Sequence, residues 1–120
     1  TPTQVFVAAS QSHVTRVTTV AACRRFDYIL SPVSPVHAAP AEDPSPTNDP
    51  LHGLEHIGFT VPFNMSEQPA ASINCGYSAS GMPIGLQIVG GHARDALVLR
   101  AAAAYERVRP IPAPPLAYQV

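Results

Sequence analysis

Gly81-Met82-Pro83-Ile84-Gly85-Leu86-Gln87-Ile88-Val89-Gly90-Gly91 is the stretch on which the fold turns. Ile84, Leu86 and Ile88 alternate with Gly85, Gln87 and Val89, which is the two-residue period of a strand, and Gly90-Gly91 ends it. Downstream, Asp95 is placed to cap a helix on which Leu97, Ala101, Ala104 and Val108 form one stripe, flanked by Val98, Ala102 and Tyr105. A stripe that wide must be covered, and a sheet is the natural cover. Upstream, residues 70–74 form a second short strand and 76–81 carry turn chemistry, so the pattern is strand, turn, strand, helix.

Further toward the N-terminus, 26–31 is a short apolar strand stopped by Ser31-Pro32. Residues 32–50 hold Pro32, Pro35, Pro40, Pro44, Pro46 and Pro50, which fix φ and remove backbone donors too often for helix or sheet. A loop of that length inside a compact unit commonly acts as a lid or as the wall of a cleft. Residues 12–25 repeat Val14, Val17, Val20 and Ala21 at helical spacing, with Ser12 as N-cap and Arg16, Arg24 and Arg25 off the stripe. The β-branched run from Val14 to Val20 keeps a strand as the alternative there. Val5, Phe6, Val7, Ala8 and Ala9 either begin the same helix or end a longer one. Pro110, Pro112, Pro114 and Pro115 stop the last helix and leave an extended tail over 110–120.

With 120 residues the expectation is one unit with one core. The chain is 46% hydrophobic and only 12% charged, which argues for a packed core rather than disorder. A net charge of −1, with arginines scattered along the chain, offers no field for nucleic acid or for an anionic membrane. No apolar run reaches the roughly 20 residues of a membrane span, and a cytoplasmic location is expected. Cys23 and Cys75 read as free thiols in that compartment, although sequence leaves their pairing open. All seven basic residues are arginine, so the chain holds no lysine.

Phe59-Thr60-Val61-Pro62-Phe63-Asn64, Gln68-Pro69-Ala70, Cys75-Gly76, the strand from Gly81 to Gly90, and Asp95, Leu99, Ala102 and Glu106 together resemble the C-terminal signature of the amidase-signature hydrolases in order and spacing. Phe26-Asp27-Tyr28-Ile29-Leu30-Ser31-Pro32 resembles the strand and Pro turn that precede it in that family. The resemblance implies an α/β fold, a large mixed sheet of which this chain supplies the last strands and the closing helix, with a long Pro-rich loop. It implies hydrolysis of a carbon–nitrogen bond by a serine, a second serine in a cis peptide and a lysine, with no cofactor. This chain has no lysine and no Ser-Ser pair, so the resemblance places those groups upstream and makes the chain inactive alone. Asn64 and Phe63 are the candidates for the substrate cleft. The tRNA-dependent amidotransferases of the family carry an acidic residue just before this run, where Ile57 and Gly58 stand here, which favours a general amidase. The implied partners are a small-molecule amide and the N-terminal remainder of the enzyme, with self-association as a further expectation.

Other chemistry is weaker. His52-Gly53-Leu54-Glu55-His56 fits H-x-x-E-H, a zinc-peptidase pattern that needs one continuous helix; Pro50 and Gly53 oppose that helix, and a solvated turn is the plainer reading. Cys75 with His92 as base is a nucleophile pair on paper, against the usual role of cysteine as a small buried hydrophobe. Ser78 and Ser80 miss G-x-S-x-G because Gly81 comes one residue late. Gln68 and Gln87 read as structural hydrogen-bonders. Three classes of function follow: part of an amidase, a zinc peptidase through His52, Glu55 and His56, or a non-catalytic interaction module.

Overall fold

The computed structural model describes residues 1–110, and the tail expected beyond Pro110 lies outside the described residues. The chain runs α1 (Pro2–Cys23), β1 (Tyr28–Pro32), a single 3-10 turn (Glu55–Ile57), α2 (Val61–Ser66), β2 (Ala70–Tyr77), β3 (Pro83–Gly90) and α3 (Asp95–Val108). The three strands form one antiparallel sheet in the order β1-β3-β2. The alternating stretch from Pro83 to Gly90 is therefore its central strand.

β3 and β2 are the expected strand-turn-strand pair, but β2 is longer than its apolar run. The register slips between Asn74 and Gly76, and Asn74 Oδ1 accepts from the Gly76 amide at 2.8 Å. Gly76 sits at φ 153, a conformation side chains disfavour, so this bulge carries the strand three residues past Asn74. Ser78 and Met82 then close the turn, the Ser78 amide donating to the Met82 carbonyl at 2.8 Å.

α3 covers one face of the sheet. Ile88, Val98 and Ala102 form the buried cluster, with Tyr28, Ala71, Ile73 and Ala101 packed on it. Gly90 makes the approach possible: a Cβ there would lie 2.7 Å from Val98 Cγ2. Asp95 is the first helical residue rather than the cap, a place held by Arg94 without a side-chain bond. Its carboxylate still faces the positive end of the helix dipole.

α1 starts well before Ser12, and Val5 to Ala9 belong to the same helix, one of the two readings open for them. Thr1 caps it, accepting from the Gln4 amide at 3.4 Å, and Pro2 occupies the first turn, where its missing N–H costs nothing. Ser12 lies inside the helix with its hydroxyl turned to the Ala8 carbonyl. The β-branched run stays helical because Thr15 and Thr18 return their hydroxyls to the carbonyls of Gln11 and Val14, at 3.0 and 2.8 Å. No residue of α1 is buried. The proline-rich stretch behaves as expected, with neither helix nor strand over 33–54.

Candidate functional site: an apolar groove beside the central strand

Where β1 ends, the chain cannot pair further through Pro32, which lacks an N–H, yet it stays beside β3 because the Val33 amide donates to the Gly85 carbonyl at 3.2 Å. Gly85 has no Cβ, and one would stand 2.7 Å from Val33 Cγ2 and 3.3 Å from Ser72 Oγ. Val33 is thus seated directly on the central strand. Ser34 then tightens the turn, its Oγ donating to the Val36 carbonyl at 2.9 Å and accepting from the Val36 amide at 3.2 Å. Across from this segment, the 3-10 turn and the cap of α2 bring up His56, Ile57 and Thr60. Together with Pro83 and Ile84 they enclose a groove of about 470 Å³.

The far wall is held to the sheet by one buried side chain. Gln87 is 5% exposed, and its amide nitrogen donates to Ser31 Oγ at 2.9 Å and to the Phe59 carbonyl at 3.1 Å. Gln68 does the same at the other end, donating to the Gly90 carbonyl at 3.1 Å and accepting from Ser66 Oγ at 3.0 Å. Both glutamines are structural, as their placement among apolar residues suggests. Among the described residues that line the groove, no hydroxyl is hydrogen-bonded to a histidine or a carboxylate. Thr60 Oγ1 donates to the Ile57 carbonyl at 3.0 Å, and Ser34 is occupied within its own turn. His56 gives Nδ1–H to the Gly53 carbonyl at 2.8 Å, which in the neutral ring leaves Nε2 as an acceptor. This arrangement can bind and orient a molecule.

Phe63 and Asn64 do not line the groove; both stand on α2, with Phe63 half-buried and Asn64 exposed. Asn64 lies one helical turn after Thr60, so the two share a face of α2. Sequence reasoning passed over Val33, Val36, Ile57, Thr60 and Ile84. One signal was available, since Gly85 inside an apolar strand marks a close approach of another backbone.

The remaining candidates fall elsewhere. His52 to His56 is a turn followed by the short 3-10 segment, so the continuous helix that the zinc pattern requires is not built. His52 Nδ1 donates to Asp49 at 2.8 Å, which together with the Leu51 amide holds the Asp49 carboxyl below its ordinary range. Among the described residues no group of three or more His, Cys, Asp or Glu side chains could hold a metal. Cys75 lies between the partners of Gly85 and Ile84, whereas His92 follows Gly90 at the other end of the strand. Five residues of strand separate them by about 17 Å, too far for proton transfer. His92 Nε2 instead meets the Ser66 carbonyl at 2.6 Å. Ser78 and Ser80 share a hydrogen bond of 2.8 Å in the β2–β3 turn, with no base beside them. Cys23 and Cys75 are both free.

The chain is similar in sequence and fold to known proteins. The chain is 56% identical over 52 residues to an acylamidase of Rhodococcus erythropolis, 43% of this chain and 11% of that protein. It is 39% identical over 82 residues to a glutamyl-tRNA(Gln) amidotransferase subunit of Oceanobacillus iheyensis, 68% of this chain and 16% of that one. The crystal structure of the corresponding subunit from Thermotoga maritima superposes with a TM-score of 0.68 at 33% identity, over 79% of this chain and 20% of that chain. A 6-aminohexanoate cyclic dimer hydrolase complexed with substrate gives 0.59 at 36% identity, over 71% and 20%. The chain thus spans only about a tenth to a fifth of the length of these relatives. The sequence model of the Amidase family matches residues 4–99, most of the described fold, and the chain belongs to that family.

Proposed function

We propose that the polypeptide carrying this chain is an amidase that hydrolyses carbon–nitrogen bonds, and that residues 1–120 are one unit, the C-terminal part of its catalytic domain. In this reading the chain supplies closing strands, a closing helix and one wall of the substrate cleft. The reacting groups lie upstream: a neutral lysine takes a proton through the bridging serine, and the first serine attacks the amide carbonyl. The C–N bond then breaks, the amine leaves with a proton, and water releases the acyl group. Asn64 and Phe63, on α2 next to the Thr60 wall, are the cleft residues of this reading, Asn64 to hydrogen-bond a substrate amide and Phe63 to cover its apolar part.

The observation that carries the reading is a family-matched segment folded around a groove that can bind but has no lysine and no activated serine. The substrate is a small amide, and the N-terminal remainder of the enzyme is the obligatory partner. The two free thiols suit a reducing compartment, and we place the enzyme in the cytoplasm. No helix among the described residues is long and apolar enough to cross a membrane.

A serine-directed fluorophosphonate probe tests the assignment. The whole polypeptide should be labelled on a serine outside residues 1–120 and should release ammonia from simple amides, while the isolated chain does neither. Labelling of Ser78 or Ser80, or amide hydrolysis by the isolated chain, refutes it.

A further inference from the structure

The walls of the groove are mostly apolar, with the imidazoles of His37 and His56 and the hydroxyls of Ser34 and Thr60 among them. Val33 and Val36 come from the loop, Ile57 from the 3-10 turn and Ile84 from β3, with prolines at both ends. The chain carries seven arginines and eight acidic residues, yet no carboxylate or guanidinium lines this space. The hydroxyls of Ser34 and Thr60 are already bonded to backbone carbonyls, so they offer little to a charged guest. A charged group entering would give up its water and find no carboxylate or guanidinium to pair with. An apolar group would gain by the same desolvation. The polar handles are two histidines, His37 and His56, and Nε2 of His56 can accept from an N–H once Nδ1 is bound to Gly53.

We propose that this groove is the specificity pocket of the amidase and that it selects amides flanked by an uncharged, apolar chain over amides whose chain ends in a carboxylate or an ammonium group. The proposal rests on the amidase reading. Ile84, Val36 and Ile57 set the preference by what they lack, and Gly85 sets the depth of the pocket by letting Val33 lie against β3.

The test uses the whole polypeptide and matched substrates: acetamide, N-hexylhexanamide, and its analogues with a terminal carboxylate or ammonium on either the acyl or the amine chain. The expected result is that charging one of the two chains lowers kcat/KM roughly tenfold or more. Ile84→Asp should narrow or reverse the difference for the ammonium analogue. Val36→Asp, in the loop where folding is little at risk, should do the same. Charged and neutral amides turned over within about twofold of one another overturn the pocket's role, and so does unchanged discrimination in both variants. Failure to hydrolyse any amide, acetamide included, overturns the amidase reading together with the pocket built on it.

Discussion

Gln87 shows how much one side chain carries. Its amide bridges β1 and the segment ahead of α2 from a buried position on the central strand, so Gln87→Leu leaves Ser31 Oγ and the Phe59 carbonyl without their partner. The expected cost is about 1–3 kcal/mol, read from denaturant unfolding of the whole polypeptide, with a rise in KM because Thr60 follows Phe59 into the groove wall. Glu67 offers a second test. Arg16 donates to its carboxylate at 2.6 Å, and that hydrogen bond, with the guanidinium charge, holds its pKa below the ordinary 4.5. A depressed carboxylate contributes stability that is present above 4.5 and disappears as pH falls through the lower folded value. Arg16→Met should therefore differ from the parent at pH 6 and converge with it in strong acid, as followed by amide exchange in α1 and α2. Glu67 also sits at φ 58, which favours glycine. In acid, where the ion pair is gone and the strain remains, Glu67→Gly should be the more stable protein. Equal stability there would show that the helix end tolerates the strain.

At the scale of elements, the contact of β3 with α3 depends on a glycine. Gly90→Ala pushes a methyl group into Val98, whose branched side chain has few rotamers in a helix, so the helix itself must shift. Destabilisation of about 1–3 kcal/mol is expected, and Val98→Ala in the same protein should recover part of it in a double-mutant cycle. Additive effects would show that the two positions do not meet. The strands and α3 were legible because their periods are local properties of the chain, two residues for β3 and a wide stripe for 97–108. α2 was not legible. Its six residues leave no room for a periodic stripe, and only the Pro62 start and the left-handed Glu67 end mark it. α1 was half legible, because its β-branched residues speak for strand until their hydroxyls are seen to bond back along the helix.

Over the molecule as a whole, the described chain leaves much apolar surface open: Val5, Phe6 and Val17 on α1, Leu30 on the edge strand β1 and Leu99 on α3 are all more than half exposed. β1 and β2 are both sheet edges among the described residues. Unpaired edges beside apolar faces favour association, so the isolated chain should form oligomers or aggregates in light scattering with size exclusion. A monodisperse monomer that unfolds cooperatively would instead support a free-standing interaction module. Residue type and local spacing were enough to establish the strands flanking the turn, the covered helix, the irregular proline-rich stretch and the absence of lysine. Folding in three dimensions was needed to bring β1 onto β3 across the long loop, to let Gly85 admit Val33, and to form a mostly apolar groove there, while Cys75 and His92 lie at opposite ends of the strand. Those facts depend on which distant segments share a strand's register, and no local pattern encodes register across a loop.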